Sequence, residues 1–376
     1  MRTTTLILAG FLITGLATAF SEPQTTSDFA AVVQANFAQW DQNKDGELSK
    51  AEVEAQIADA KVTGKQAAAL AAIITFQGGP VGKKKPLSSE FLLREAMPGL
   101  SKEVIPPFEA RYRDALYRIE KVNRVLFGPG APSLNEVRQG HIGDCFFVAV
   151  VGSIADRRPD TIRRWIEAEQ EKTYRVRFPL GARSTVRTPT DGEIALTSFA
   201  GNQGLWINVL EKAFGSIMEA AFPNPTQTDP IESIAFGGTP IQTIRMMTAH
   251  EALFIAIRSP AQDPLNDAQI HKLKPQVRKV LLDCEKNKRI ACAGSPKGGA
   301  PPGVTLQHAY SVLGFDEASE VLRLWNPHGN DFNPAGDSGM KNGFKTQHGR
   351  FEISLDDFVK TFCFLAYESE TALTTD

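Results

Sequence analysis

The sequence predicts an α+β protein in which a small helical region precedes a larger mixed domain. Three observations carry that reading. Apolar residues recur at helical spacing on both sides of an acidic loop near residue 40. An apolar segment opens directly after Gly143 and Asp144. Residues 306–325 then read as two strands about a turn of Asp316, Glu317, Ala318 and Ser319. With 376 residues, 42% hydrophobic and 22% charged, the chain has the length of two domains, or of one large domain with an appendage. A formal charge of −2 provides no basic field, so nucleic acid is not an expected partner. Four cysteines cannot replace a packed core in a chain this long.

The first element is a leader. Residues 6–16 are the only membrane-like apolar run, and they fall short of the ~20 residues that span a bilayer. Arg2 precedes the run, and Ala17-Thr18-Ala19 closes it with a small-x-small pattern. Residues 1–19 therefore read as a secretory signal cut after Ala19. The expected location is secreted or periplasmic, with no stable membrane insertion after signal removal.

The second element is a loop, DQNKDGELSKAE, at residues 41–52. Asp41, Asn43 and Asp45 hold its first, third and fifth positions. Gly46 is sixth, where the turn requires a positive φ. The Glu47 carbonyl is seventh, Ser49 ninth, and Glu52 twelfth, able to give both carboxylate oxygens. Hard oxygen donors in this order form the EF-hand pattern, and the implied cofactor is Ca2+. Phe29, Val32, Val33, Phe37 and Trp40 give the entering helix an apolar stripe, and Val53 and Ile57 continue it after the loop. Leu48 offers an apolar contact to a partner loop. That partner is expected in a helix over residues 65–76, a polar link holding Lys83-Lys84-Lys85-Pro86, and residues 87–91, with no ion of its own. Pro106-Pro107 marks a boundary between a helical EF-hand region, 20–105, and a domain spanning 106–376.

The third element carries nucleophile chemistry. Residues 139–147 read QGHIGDCFF, placing Cys145 in the first turn of a buried helix with Asp144 as its natural cap. Unpaired N–H groups at a helix start favour a thiolate, and the thiolate is the form that attacks. Gln139 lies close enough across the glycines for its amide, with the Cys145 N–H, to form an oxyanion hole. A base is expected from the strand LQHAYSVLGF, residues 306–315. A hairpin centred on Glu317 sets His308 directly opposite Asn326, whose amide oxygen then fixes the imidazole.

These segments resemble the calpain-type, papain-like cysteine proteases. QGHIGDCFF is similar to their nucleophile segment, HAYSV to the histidine strand and NPHG to the asparagine turn. LWINVLEKAF (205–214) resembles a helix between them, and GRFEISLDDF (349–358) their closing strand and turn. The resemblance covers residues 126–364. It implies a two-lobed core, helical on the Cys145 side and antiparallel β-rich on the His308 side, with the substrate cleft between. It also implies Cys145 as nucleophile, His308 as base, Asn326 as orienting group and Gln139 as oxyanion donor, acting on protein or peptide substrates. Two positions depart from the family. Phe146 stands where Trp usually follows the nucleophile, and His328 stands where a Trp usually follows the asparagine by two.

The resemblance implies a cysteine endopeptidase, and the acidic loop and leader add the expectation that it binds calcium and is exported. A catalytically inactive calcium-binding interaction protein on the same scaffold, or a transglutaminase-like acyl transferase, is the alternative. Cys284 and Cys292 bracket a short basic segment, and either a disulfide between them or four free thiols fits the sequence.

Overall fold

The computed structural model describes residues 27–78, 87–96, 107–223, 230–235, 237–259 and 265–374. The expected signal segment, the lysine run at 83–85 and Pro106 lie outside the described residues.

The N-terminal third is helical: α1 (Asp28–Trp40), α2 (Lys50–Ala58), α3 (Gly64–Gly78), α4 (Ser89–Glu95) and α5 (Pro107–Lys121). Ser27 caps α1 through Ala30 N, and Ser49 with Glu52 closes a reciprocal capping box on α2. Phe29, Val33, Trp40, Leu48, Val53, Ile57 and the alanine-rich face of α3 form one apolar core. Residues of the helix that opens at Pro107 add to that core. Pro107 opens α5 at a position where its missing N–H is harmless, and Phe108, Tyr112, Ala115 and Ile119 turn one stripe inward. Phe108 stacks on Phe29 at 5.0 Å and packs at a tilt against Phe76 at 4.7 Å.

The remainder runs α6 (Cys145–Arg157), α7 (Pro159–Trp165), β1 (Ile166–Ala168), β2 (Thr173–Arg177), β3 (Arg183–Arg187), α8 (Asp191–Leu196), α9 (Trp206–Ala221), α10 (Pro240–Thr248), β4 (His250–Ala256), α11 (Asp267–Asn287), β5 (Ala291–Gly294), β6 (Ala309–Asp316), β7 (Val321–Trp325), β8 (Arg350–Ser354), α12 (Leu355–Thr361) and β9 (Phe364–Ala372). It is a mixed α/β arrangement with two antiparallel sheets. Three short strands pair as β1-β2-β3, and six pair as β4-β9-β5-β6-β7-β8. One face of the larger sheet packs against α6 and α10, and the other against α11 and α12, while α9 packs against the smaller sheet.

The hairpin register differs from the expected one. Asp316 pairs with Val321 across a four-residue turn, and the ladder then slips at Leu313 so that Ser311 pairs with Trp325. A β-bulge of this kind adds one residue to one strand. Together the turn and bulge move the register by two, which keeps His308 on the expected face. The position opposite Asn326 now belongs to Tyr310, and His308 comes level with His328.

The four cysteines are free thiols. Cys292 joins the core under α6, whereas Cys284 on α11 joins the core on the opposite face of the sheet. Alternation along a strand sends Cys292 away from α11, so no Cys284–Cys292 disulfide forms.

Helix α6 crosses β6 on polar and steric pins. Ser311 Oγ donates to Ala149 O at 2.6 Å, and Ser153 Oγ donates to Val312 O at 3.3 Å. At Gly152 an added Cβ would meet the Trp325 ring at 2.7 Å. Where α6 gives way to α7, Arg158 forks onto buried Glu368 of β9 at 3.0 and 2.7 Å. Arg158→Ala leaves that carboxylate without its guanidinium, so we expect a loss of about 2–3 kcal/mol, read from the denaturant midpoint.

Candidate active site

Cys145 is the first residue of α6, and helical spacing places it on the same face as Ala149, Gly152 and Ser153. Because that face is pinned to β6, one turn back along the helix, about 6 Å, brings the sulfur to the start of the strand. The Ala309 backbone N–H reaches the sulfur there. His308 is the preceding residue. Ser295 clamps it: its hydroxyl oxygen accepts His308 N–H at 2.9 Å while Ser295 N donates to His308 O at 2.9 Å.

Cys145, His308, Gln139 and His328 line one open cleft of about 520 Å³, whose opposite wall includes Gly237 and Gly238. Among the described residues no hydrogen bond joins the sulfur to the imidazole. Burial pushes the Cys145 thiol up, against the pull of the N–H groups of Ala309, Phe146 and Cys145 itself. The expectation that the helix start alone would favour a thiolate is therefore outweighed by desolvation. Burial drives the His308 imidazole down to about 3, His328 adds to the depression, and Asn326 opposes it.

Asn326 follows β7, and its amide is held on both hydrogens. Nδ2 donates to Thr305 Oγ1 at 3.1 Å and to Asn330 Oδ1 at 2.8 Å. Oδ1 accepts His328 N at 3.1 Å and keeps a second lone pair. His308 Nε2 is buried without a formed partner, close enough for Asn326 to raise its basicity but looser than a hydrogen bond. Site contacts that tighten only on substrate binding have this form.

Gln139 is near the cleft but engaged. Its Nε2 donates to Ile142 O at 2.9 Å and to Asp144 Oδ1 at 3.1 Å, and Oε1 is buried without a partner. Asp144 makes no capping hydrogen bond to α6, contrary to the expectation for that position. Its side chain turns inward to Glu211 on α9. Glu211 accepts Ser198 N at 2.9 Å and Ser198 Oγ at 2.8 Å. Burial raises Asp144 well above its usual range, the Glu211 charge adds to this, and burial raises Glu211 as well. Two carboxyl groups in contact cannot both ionise, so the pair holds one proton.

Three contributors were not visible in the sequence. Glu211 sits inside an apolar helix pattern, and nothing in the spacing ties it to Asp144. Asp114 pairs with His141 Nε2 at 2.8 Å from a helix 27 residues upstream. The Ala309 N–H is a backbone group, which no side-chain pattern reveals.

Comparison with known proteins shows the family. The sequence model for the calpain family cysteine protease matches residues 117–367, two thirds of the chain. The chain belongs to the calpain family of cysteine proteases. It is similar to the calpain-type cysteine protease ADL1 of Oryza sativa subsp. japonica, 25% identical over 256 residues covering 61% of this chain and 11% of that protein. It is likewise similar to the calpain-type cysteine protease DEK1 of Zea mays, 24% identical over 256 residues with the same coverage. Calpain-13 of Rattus norvegicus is 22% identical over 279 residues, covering 64% of this chain and 38% of that protein. The calpain chain described here thus spans only a minor part of these relatives.

The shared proton of Asp144 and Glu211 has a measurable consequence. A carboxyl raised in the folded state binds more protons there than in the unfolded chain. Its contribution to stability is complete below the unfolded value of 3.8 and is lost as pH rises through the raised one. Asp144→Asn keeps a donor toward Glu211 and an acceptor for Gln139. We expect it to fold and to flatten the decline in stability above pH ~4, whereas Asp144→Ala loses about 2 kcal/mol. Denaturant titrations across pH check both.

Proposed function

We propose that this chain is an exported, calcium-binding cysteine endopeptidase that hydrolyses peptide bonds through Cys145, His308 and Asn326. The observation that carries the reading is the Ala309 N–H at the Cys145 sulfur, with His308 the adjoining residue and Asn326 raising the basicity of its ring. In the proposed reaction His308 accepts the thiol proton, and the Cys145 sulfur attacks the substrate carbonyl carbon. The oxyanion forms against the Cys145 N–H and Gln139 Nε2. The imidazolium then gives its proton to the leaving amine, leaving a thioester on Cys145. Water attacks the thioester with His308 again as base, which returns the free thiol and releases the acid.

Burial leaves thiol and imidazole neutral in the resting site, so the ion pair is to be formed as substrate closes the cleft. Gln139 takes part only by releasing one of its two amide hydrogens from Ile142 or Asp144. His141 is the weaker candidate for the base, because its Nε2 is tied to Asp114.

The calcium part of the proposal rests on the 41–52 loop. The donors are all oxygen, Gly46 takes φ 84°, and Asp41 Oδ1 is buried without a partner. Leu48 N donates to Leu87 O at 3.2 Å, and Glu47 bridges Ser88, so the loop is backed by a second segment. Among the described residues no three acidic, histidine or cysteine side chains converge as a metal cage. Glu52 instead accepts Gln42 N and Asn43 N at 2.9 and 3.1 Å, and Asp45 accepts Glu47 N. Asp41, Asn43, Asp45, the Glu47 carbonyl, Ser49 and Glu52 would hold the ion once Glu52 turned inward, and the ion would tie α1 to α2. The export part rests on Arg2, the apolar run 6–16 and the Ala17-Thr18-Ala19 pattern.

Casein or a fluorogenic peptide library, with reductant and calcium, tests the chemistry. Cleavage should be lost by at least ~10³-fold in Cys145→Ala with the fold intact; activity surviving in that variant excludes the mechanism. For the ion, calcium should raise the melting temperature of the wild-type chain but not of Asp41→Ala. Equal shifts in both would remove the 41–52 loop as the site.

A further inference from the structure

Two imidazoles share the cleft wall. The rings of His308 and His328 lie 4.2 Å apart between centroids and are tilted by 39°. The backbone fixes His328 from both lobes. Its N–H donates to Asn326 Oδ1, Gly329 N donates to Asn326 O at 2.9 Å, and Gln139 N donates to Pro327 O at 2.7 Å. We infer that His328 is a positioning residue that sets the acid limit of the chemistry, by admitting a proton on His308 only while its own ring is neutral. The inference rests on the Cys145–His308 reading above and deepens it.

The surroundings of His328 give a proton on its ring no carboxylate partner. From the residue before β6 it faces His308, from the start of α6 the Cys145 sulfur, and from the 139–141 segment His141. On its other side lies a second cavity of about 570 Å³ that holds Asp114, Arg118 and Lys121 of α5, Glu136, Arg138, and His348 from the turn before β8. Asp114 is already bound by Arg118 at 2.8 Å and by His141. Glu136 accepts Asn202 N. Among the described residues the His328 ring makes no hydrogen bond. Burial and then His141 depress its basicity, in line with this geometry.

The consequence follows from charge. Neutral His328 covers His308 and leaves it free to become an imidazolium beside the Cys145 thiolate. A proton on His328 places a like charge about 4 Å away, which opposes the imidazolium and returns the pair to thiol and neutral imidazole. Falling pH therefore removes the reactive pair through His328 before it would do so through the thiolate alone.

The full chain, as wild type, His328→Phe and His328→Gln, tests this by the rate of Cys145 alkylation with iodoacetamide from pH 4 to 9. Cys145→Ala supplies the background from the other thiols. Both His328 variants should keep their alkylation to a pH about one unit lower than wild type, with the alkaline limb unmoved. The Gln variant decides the matter if the Phe variant does not fold. Acid limbs that coincide in wild type and a folded variant overturn the inference, and so does a wild-type NMR titration in which protonation of His328 leaves the His308 resonances unchanged. Alkylation needs no hydrolysis. A chain that shows the shift but cleaves no peptide defeats the endopeptidase reading and leaves this one standing.

Discussion

The crossing of α6 over β6 is the constraint on which the site depends. Ser311 and Ser153 pin the helix to the strand by hydroxyl bonds to backbone carbonyls, and Gly152 lets Trp325 close the gap. A helix advances about 1.5 Å per residue and a strand about 3.3 Å. Four helical residues from Ala149 back to Cys145 thus match about two strand residues from Ser311 back to Ala309. The sulfur meets Ala309 N–H because the two elements are locked at a point one turn away. No loop has to hold Cys145 against β6, since packed secondary structure does so.

A second chain of contacts runs from the N-terminal helices to the same place. Thr190 Oγ1 donates to Ile57 O at 2.6 Å, and Gly192 leaves room for Ile57 against the start of α8. Helix α8 ends at Leu196, whose carbonyl accepts His141 N at 2.7 Å. Gly140 lies so close to the Leu196 and Thr197 carbonyls that no Cβ fits there. Arg118 of α5 adds bonds to Thr197 O and Gln139 O at 3.2 and 3.3 Å. The segment bearing Gln139 is thus held as much by the helices α2, α5 and α8 as by its own lobe. A short, packed path of contacts joins α2 to that segment.

The sequence made the local features legible. Helical periodicity about residues 41–52, the buried segment after Asp144 and the strands on either side of residues 317–320 all emerge as elements, because each rests on spacing within one segment. What spacing could not supply was the register of that hairpin. The bulge at Leu313 and the four-residue turn are cooperative outcomes of packing β6 against α6 and α11, and together they displaced the direct His308–Asn326 pairing by two residues. The same limit explains the side chains that face unexpected partners. Asp144 stands where a cap belongs but turns to Glu211, because burial among α6 and α9 makes a shared proton cheaper than a solvated carboxylate. Cys284 and Cys292 are near in sequence and sit on opposite faces of one sheet, a separation that only the strand's alternation defines.

The electrostatics of the cleft then follow from one trade between burial and contact. Burial that makes Cys145 and His308 precise in position also makes both poor at carrying charge, so the resting pair is neutral. In the proposed chemistry the charges appear together, each stabilising the other, and the cost of creating them is reduced by whatever already points at the site. The N–H groups at the start of α6 and at Ala309 favour the sulfur's charge, and the lone pair of Asn326 favours the ring's. His328 is a neighbour whose effect changes sign with its own protonation. Neutral, it is a cover that keeps water from the His308 edge; charged, it opposes the very state the other groups support. A tryptophan at that position would supply the cover without the titration, so in the proposed scheme the histidine couples the reactivity of this site to pH through its effect on His308.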